Sequence, residues 1–232
     1  MTTAVLAGST GLVGSNILQT LLSHPSIAHT HAYTRRTLPT TSPNLTPILS
    51  TDHSTWPSLF PHPSGPSLFL SALGTTRANA GSLEAQHKID VELNLSLARA
   101  AKDAGVQTYV LISSAGASSS SFFPYPRMKA ELEDAVKALG FEHTVILRPG
   151  LIVGDREESR PAEWGVRKIA GLAGALTGGW GKDFWAQDAG VIARAAVKAG
   201  VDCVEGRRGK GVWVLGQGDI VKLGRTEWGG KK

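Results

Sequence analysis

Ala4-Val5-Leu6-Ala7-Gly8-Ser9-Thr10-Gly11-Leu12-Val13-Gly14 runs from a short apolar segment, through a glycine-rich turn, into an amphipathic stretch. Glycines in that position have a physical meaning. A helix that opens directly after a strand presents free N–H groups and the positive end of its dipole to an anion such as pyrophosphate. Gly8 permits the tight turn, Gly11 lets the backbone approach a phosphate, and Gly14 lets helix and strand pack closely. Ser9, Thr10, Leu12 and Val13 complete the cradle. The stretch predicts a single Rossmann-type domain over residues 1–232: an α/β, doubly wound, mostly parallel sheet with helices on both faces.

The rest of the chain fits that frame. Short apolar runs predict strands at Ala4–Ala7, His29–Tyr33, Pro47–Leu49, Leu68–Ala72, Thr108–Ile112, Thr144–Leu147 and Val212–Leu215. Several are continuously apolar, as strands covered on both faces must be. Helical periodicity predicts Leu12–Ser23, Leu83–Ala104, Arg127–Leu139, Ala162–Leu176 and Gln187–Ala199. Pro39 and Pro43, with Thr37, Thr40 and Thr41 around them, leave the link between the second and third strands without a helix. Pro57 to Pro66 allows no more than a short helical turn.

The end of the second strand selects the nucleotide. Tyr33-Thr34-Arg35-Arg36 offers two guanidinium groups where an NAD enzyme usually places an acid for the ribose hydroxyls. Planar, fork-shaped donors suit the 2′-phosphate of NADP(H), with Arg35 as the main ligand and Arg36 assisting.

The bulk properties exclude several other classes. At 41 % apolar and 19 % charged residues, the composition is that of an ordinary globular protein rather than a disordered chain. No run approaches the roughly 18 apolar residues that span a bilayer. No basic leader or cleavage pattern opens the sequence, which predicts a cytoplasmic protein. Cys203 is the sole cysteine, so no intramolecular disulfide is possible. The formal charge of +5 is scattered apart from Arg207, Arg208, Lys210 and the Lys231-Lys232 tail, which argues against nucleic acid as a partner. His29 and His31 share a strand face without an acidic or thiol partner, a poor metal site, and no metal is expected.

Beyond the fifth strand stand Ser113-Ser114 and then Tyr125-Pro126-Arg127-Met128-Lys129. Residues four apart on a helix share a face, so Lys129 falls beside Tyr125. Its ammonium should favour the phenolate and lower the tyrosine pKa, while a serine hydroxyl at the strand end orients a carbonyl oxygen. Because Tyr125 precedes a proline, it is expected at the helix N-cap with Pro126 as the first helical residue.

These motifs resemble the short-chain dehydrogenase/reductase superfamily. More narrowly, the chain is similar to the atypical branch of the Tat-interacting oxidoreductase-like proteins and their fungal mitochondrial, outer-membrane-associated relatives. The matching segments are GSTGLVG (Gly8–Gly14), TRR (Thr34–Arg36), SALGTTR (Ser71–Arg77), LISSAG (Leu111–Gly116), YPRMK (Tyr125–Lys129), ILRPGLIVGDRE (Ile146–Glu157) and LGRTEW (Leu223–Trp228). The resemblance implies NADP(H), Ser114 as the substrate-orienting serine, Tyr125 as general acid/base and Lys129 as its partner and a cofactor ligand. It also implies that Ala72, Leu73 and Gly74 line the cofactor and that Arg148-Pro149-Gly150, with Pro149 as a contact, lies toward the nicotinamide. Peripheral attachment to the outer mitochondrial membrane enters as an alternative location. Whether Asp90 or Asn94 takes the place of the superfamily's catalytic asparagine stays open.

The leading expectation is an NADPH-dependent reductase of a small apolar carbonyl compound. The alternatives are an NADPH-binding regulatory or scaffold protein with vestigial catalytic residues, and a non-redox lyase or isomerase on the same fold. Residues 155–188 form a candidate substrate-side insertion or lid carrying Trp164, Trp180, Phe184 and Trp185; Phe122 and Phe123 flank the tyrosine. The apolar stretch 169–176 reads as a lid, a homodimer contact or a membrane-surface segment.

Overall fold

A computed structural model describes residues 1–62, 66–153 and 186–229. Nine strands occur among them: β1 (Thr2–Ala7), β2 (Ile27–Thr34), β3 (Leu45–Leu49), β4 (Leu68–Ser71), β5 (Thr108–Ile112), β6 (His143–Leu147), β7 (Leu151–Val153), β8 (Ala186–Asp188) and β9 (Gly211–Leu215). Seven form one parallel sheet in the order β3-β2-β1-β4-β5-β6-β9, and β7 pairs with β8 alone. Leu6 of β1 stands opposite Ala32 on one side and Leu70 on the other. All seven strands of the sheet were legible in the apolar pattern. The β7–β8 pair was not, since three residues carry too little periodicity.

The alternation of each strand divides the core in two. Leu6, Leu70, Val110 and Val145 face α1 (Leu12–Ser23) and, as numbered here, a later helix α6; Phe69, Tyr109 and Leu111 face the opposite side. On that opposite side the chain forms α2 (Arg77–Ala80) and α3 (Leu83–His87), which passes through a π-helical turn (Lys88–Leu93) into α4 (Asn94–Asp103). Then comes α5 (Pro124–Ala138). α4 and α5 bury Leu97, Ala98, Ala101, Leu132 and Val136 against the sheet. An aromatic row runs across this layer, with Tyr33 stacked on Trp56, Phe60 edge-on to Phe69, Phe69 edge-on to Tyr109, and Tyr109 stacked on Phe141. Ring pairs of this kind add about 0.5–1.5 kcal/mol each beyond the area they bury.

α6 (Ala189–Val204) packs on the first face almost entirely through small residues. At Gly200 a Cβ would stand 2.8 Å from Leu68 Cδ1 and 3.2 Å from Val110 Cγ2, so the helix lies close enough to the sheet that the Leu68 side chain would have to shift to admit alanine. Its start falls two residues later than the periodicity predicts. Gln187 and Asp188 belong to β8, and the Asp188 carboxylate caps the helix by accepting from the N–H groups of Gly190 (2.9 Å) and Val191 (3.1 Å). The chain ends in α7 (Gln217–Val221) and a second π-helical turn (Lys222–Thr226).

The link from β2 to β3 has no helix, in line with its prolines. Pro57–Leu59 makes a single 3-10 turn. The expected helix 162–176, the apolar stretch 169–176 and the aromatics Trp164, Trp180, Phe184 and Trp185 lie outside the described residues.

One buried ionic cluster ties β5, α5 and β6 together. Glu133 is fully buried; it accepts from the Ser113 hydroxyl at 2.6 Å and holds the Arg148 guanidinium through Nε at 3.0 Å and Nη2 at 2.5 Å. Removing the carboxylate strands a cation and a buried hydroxyl together. Glu133→Ala is therefore expected to lower stability by about 3 kcal/mol. Urea unfolding should show a reduced midpoint at unchanged slope. A loss below about 1 kcal/mol would mean that the cluster is solvated.

Candidate functional site

The sheet order reverses between β1 and β4, since the chain leaves β1 toward β2 and β3 and later returns to its other side. In open parallel sheets the crevice at the carboxyl ends of two such strands is where ligands bind. Here the loop after β1 and the loop after β4 press against each other. Gly8 adopts φ +85°, and a Cβ there would stand 2.5 Å from the carbonyl oxygen of Ala72 and 2.8 Å from the nitrogen of Leu73. A Cβ at Gly14 would overlap the Gly8 carbonyl oxygen. Gly11 closes the turn by donating its N–H to that same oxygen at 2.9 Å, then caps α1 in an extended conformation. Gly11 and Thr10 are exposed, whereas Ser9 is buried and donates its hydroxyl to the Tyr33 carbonyl at 2.7 Å. Ser9 thus serves the loop's shape, fastening the cradle to β2. Leu12 is half-buried and Val13 is packed into the core beneath. The result is a bare backbone turn at a helix N-terminus, which fits a pyrophosphate.

At the end of β2, Thr34 donates its hydroxyl to the Arg36 carbonyl and accepts from the Arg36 N–H, so the chain turns sharply. Arg35 and Arg36 are exposed and make no ion pair among the described residues. The positive charge of Arg35 reaches His53, whose imidazole is pushed below its usual pKa first by burial and then by that guanidinium. This corner is cationic.

Ala72, Leu73 and Gly74 continue from β4 past the cradle, the first two half-buried and Gly74 exposed. Behind them lies the π-helical turn, and its effect is local and specific. A π-turn leaves some helix carbonyls free and changes which side chains share a face. Asn94, wholly buried, fills the first role: its amide nitrogen reaches the carbonyls of Ile89 (3.2 Å), Asp90 (3.1 Å) and Leu73 (3.3 Å). Its Oδ1 accepts from the Ser71 hydroxyl at 2.5 Å. Asn94 is therefore a rivet between helix and β4. Asp90 points the other way: its Oδ1 accepts from the Thr75 N–H at 2.6 Å, and its carboxylate faces Gly74.

α5 begins at Pro124, not at the Pro126 that its sequence suggested. Phe123 is the N-cap, so Tyr125 sits inside the first turn. Two prolines fit there because the first N–H groups of a helix have no partner to lose. The i, i+4 spacing then does what it predicts: Lys129 Nζ lies 5.7 Å from the centre of the Tyr125 ring. Lys129 is buried, while Tyr125 remains 43 % exposed and its hydroxyl makes no hydrogen bond among the described residues. Phe122 and Phe123 beside it are exposed.

The electrostatics of the pair differ from expectation in one respect. Burial pushes the Lys129 ammonium below its usual range, against the pull of Asp90 and Glu133. Burial likewise raises the Asp90 carboxyl, opposed by Lys129, the Thr75 N–H and Gln86. Tyr125 is raised, not lowered, first by desolvation and then by the negative charge of Asp90. The lysine charge that was to favour the phenolate is shared with two buried carboxylates. The phenol accordingly stays protonated at neutral pH.

Ser113 and Ser114 separate by role. Ser113 is committed to Glu133, whereas Ser114 is half-buried and its hydroxyl has no partner among the described residues. The following loop is braced by the Ala115 N–H, which donates to the Pro149 carbonyl at 2.8 Å. Gly150 donates in turn to Gln187 Oε1, and Gln187 Nε2 to the Gln217 carbonyl, so the loops beyond β5, β6 and β9 are linked. The Glu133–Arg148–Ser113 cluster and the Gln187 bridge were not read from the sequence. Only geometry separates such partners from surface charges.

Comparison with known proteins agrees with this architecture. The HIM1 family model matches residues 50–173. The protein fmp52-1, mitochondrial, of Aspergillus oryzae is 56 % identical, covering 97 % of this chain and 98 % of its own. Its namesake in Aspergillus terreus is 54 % identical over 97 % of this chain and its full length. Among solved structures, the UDP-glucuronic acid 4-epimerase of Bacillus cereus, crystallised with NAD, superposes with a TM-score of 0.67 at 15 % identity, covering 92 % of this chain and 76 % of that one. A short chain dehydrogenase family protein from Francisella tularensis gives 0.65 at 11 %, covering 94 % and 98 %. At such identities the likeness is one of fold. Together the matches show that the chain belongs to the HIM1 family, alongside the fungal mitochondrial Fmp52 proteins, and that it shares the fold of the dehydrogenase and epimerase structures.

Proposed function

We propose that the protein is an NADPH-dependent oxidoreductase that reduces a small, apolar carbonyl compound. The observation that carries this reading is the buried Lys129 ammonium set against the Tyr125 ring, with the Tyr125 and Ser114 hydroxyls unengaged. The dinucleotide fits the glycine cradle at Gly8, Gly11 and Gly14, and its 2′-phosphate fits Arg35 and Arg36. When bound, such a cofactor supplies hydride. The chain's own groups handle the oxygen. Ser114 donates a hydrogen bond to the carbonyl oxygen and fixes its position. Tyr125, held protonated by its surroundings, gives its phenolic proton to that oxygen as charge develops. Lys129 then stabilises the phenolate left behind. Phe122 and Phe123 offer apolar surface for the substrate. The isomerase alternative draws on epimerase neighbours whose likeness is of fold alone, and no residue described here favours it.

The same reading places the protein at the cytosolic surface of mitochondria. It is supported by the mitochondrial designation of relatives and by the absence, among the described residues, of a helix long and apolar enough to cross a membrane.

Three outcomes are expected. NADPH should bind about ten- to a hundredfold more tightly than NADH, as one charge-assisted phosphate contact is worth roughly 1.5–3 kcal/mol. Calorimetry on Arg35→Glu should show that preference lost through weaker NADPH binding, with NADH unaffected; equal affinities in the wild type would sink the assignment. Tyr125→Phe should lower turnover by about 10²–10⁴-fold while leaving NADPH affinity nearly unchanged. The assay is NADPH consumption with a substrate found in a screen of aldehydes, ketones and quinones, and wild-type turnover by the variant would refute the tyrosine's role. Finally, alkaline carbonate should release the protein from mitochondria, and protease added to intact organelles should digest it. Resistance to both would contradict the location.

A further inference from the structure

His87 has a carboxylate on each side of its ring. Nδ1 lies 3.3 Å from Glu92 Oε1, and Nε2 lies 3.1 and 3.2 Å from the two oxygens of Glu131. A neutral imidazole has one N–H and can donate to only one of these acids. With an ionised acceptor at both nitrogens, the arrangement is complete only when the ring is imidazolium. The two acids belong to different elements. Glu92 stands five residues on, within the π-helical turn, and Glu131 stands on α5. On a regular α-helix the neighbours of His87 would be three or four residues away; the wider π-turn brings the fifth into line.

The segment fastened in this way reaches the crevice. Gln86, just before the histidine, is buried and donates its amide to the Thr75 carbonyl at 3.2 Å. Asp90, in the same π-turn, accepts from the Thr75 N–H at 2.6 Å. The loop after β4 is thus held at both backbone groups of Thr75 by residues that flank His87. We propose that His87 is a proton-operated clasp: as imidazolium it locks α3 and the π-turn onto α5 and keeps residues 74–76 in place at the crevice, and as neutral imidazole it releases them.

The other charged groups around the ring are Glu84 on α3, Lys88 on the π-turn, and Arg127 and Asp134 on α5. Glu84 is paired with Lys88 and Asp134 with Lys137, which leaves Glu92 and Glu131 to set the charge of the ring. Partial burial disfavours that charge, but the hydrogen bonds and charges of Glu131 and then Glu92 outweigh it, and the imidazole is held above its ordinary pKa of 6.5. A group raised on folding contributes its stability below the unfolded value and loses it as pH climbs through the folded one. The clasp is therefore closed below about pH 6.5 and opens as the pH passes the raised value.

Wild type, His87→Gln and Glu131→Gln are compared without cofactor from about pH 6 to pH 8.5. His87 is half-buried and Glu131 exposed, and thermal unfolding verifies that both variants fold. By NMR the His87 ring should titrate above its ordinary value in the wild type and lower in Glu131→Gln. Hydrogen exchange, corrected for its intrinsic pH dependence, should show protection of amides 83–93 falling about threefold to tenfold across the range in the wild type, since two partly exposed ion pairs are lost. The midpoint of that fall should coincide with the His87 titration, and His87→Gln should show low protection throughout. Flat protection in the wild type, or the same fall in His87→Gln, would overturn the clasp; a histidine of merely structural use would give the first result. Its bearing on a cofactor rests on the dinucleotide reading, and calorimetry with NADPH judges that part. The wild type should bind more tightly than His87→Gln at the acid end and equally at the alkaline end, and a gap constant with pH would overturn control of the crevice. No NADPH binding by any of the three proteins would overturn the dinucleotide reading, while the exchange result decides the clasp by itself.

Discussion

The crossing of two backbone turns at the centre of the sheet governs everything around it. Gly14 on α1 lies against the Gly8 carbonyl, and Gly8 in turn lies against Ala72 and Leu73. No side chain intervenes at either contact, so α1, β1 and the loop after β4 are held at backbone distance. That closeness brings the open N-terminus of α1 to the crevice where the strand order reverses. It also fixes where the loop 72–75 can run, and through Thr75 and Leu73 it fixes the π-turn behind it.

From that centre the two sides of the site are built by different means. The phosphate side is made of backbone and depends on having no side chains. The far side is made of buried charge: Lys129 and Asp90 around Gly74, and Glu133 with Arg148 and Ser113 one turn along α5. Buried ions of this kind contribute little net stability compared with apolar packing, but each one removed leaves its partner stranded. They hold α5 in one orientation, and with it the exposed edge of Tyr125. Committing Ser113 to Glu133 leaves Ser114 with its hydroxyl unengaged.

The sheet was readable in the sequence because parallel strands covered on both faces are runs of apolar residues, as in Thr108–Ile112 and His143–Leu147. The glycine cradle was readable because its spacing has one physical use. The Tyr125–Lys129 pair was readable because helical spacing alone brings the two together. The distinction between Asp90 and Asn94 was not. It depends on one π-turn, which breaks the 3.6-residue period that would have assigned both to neighbouring faces. The start of α5 was misplaced because an isolated X-Pro rule ignores that two prolines can share a first turn. The direction of the Tyr125 shift was missed because its first cause is burial, and its second is a carboxylate 35 residues away in sequence on another element.

Arg35 and Arg36 stand in solvent at the rim of the crevice, not within it. Charges so placed act through water and its ions, and at physiological ionic strength their field decays over about 8 Å. An anion arriving at this corner is thus drawn by a force that the surrounding salt can strengthen or weaken severalfold. The glycine cradle, built of fixed backbone dipoles in a narrow crevice, is far less sensitive. On the proposed reading, selection by the arginines and retention by the cradle would respond differently to the medium, and discrimination between related anions would be set by ionic conditions as well as by the fold.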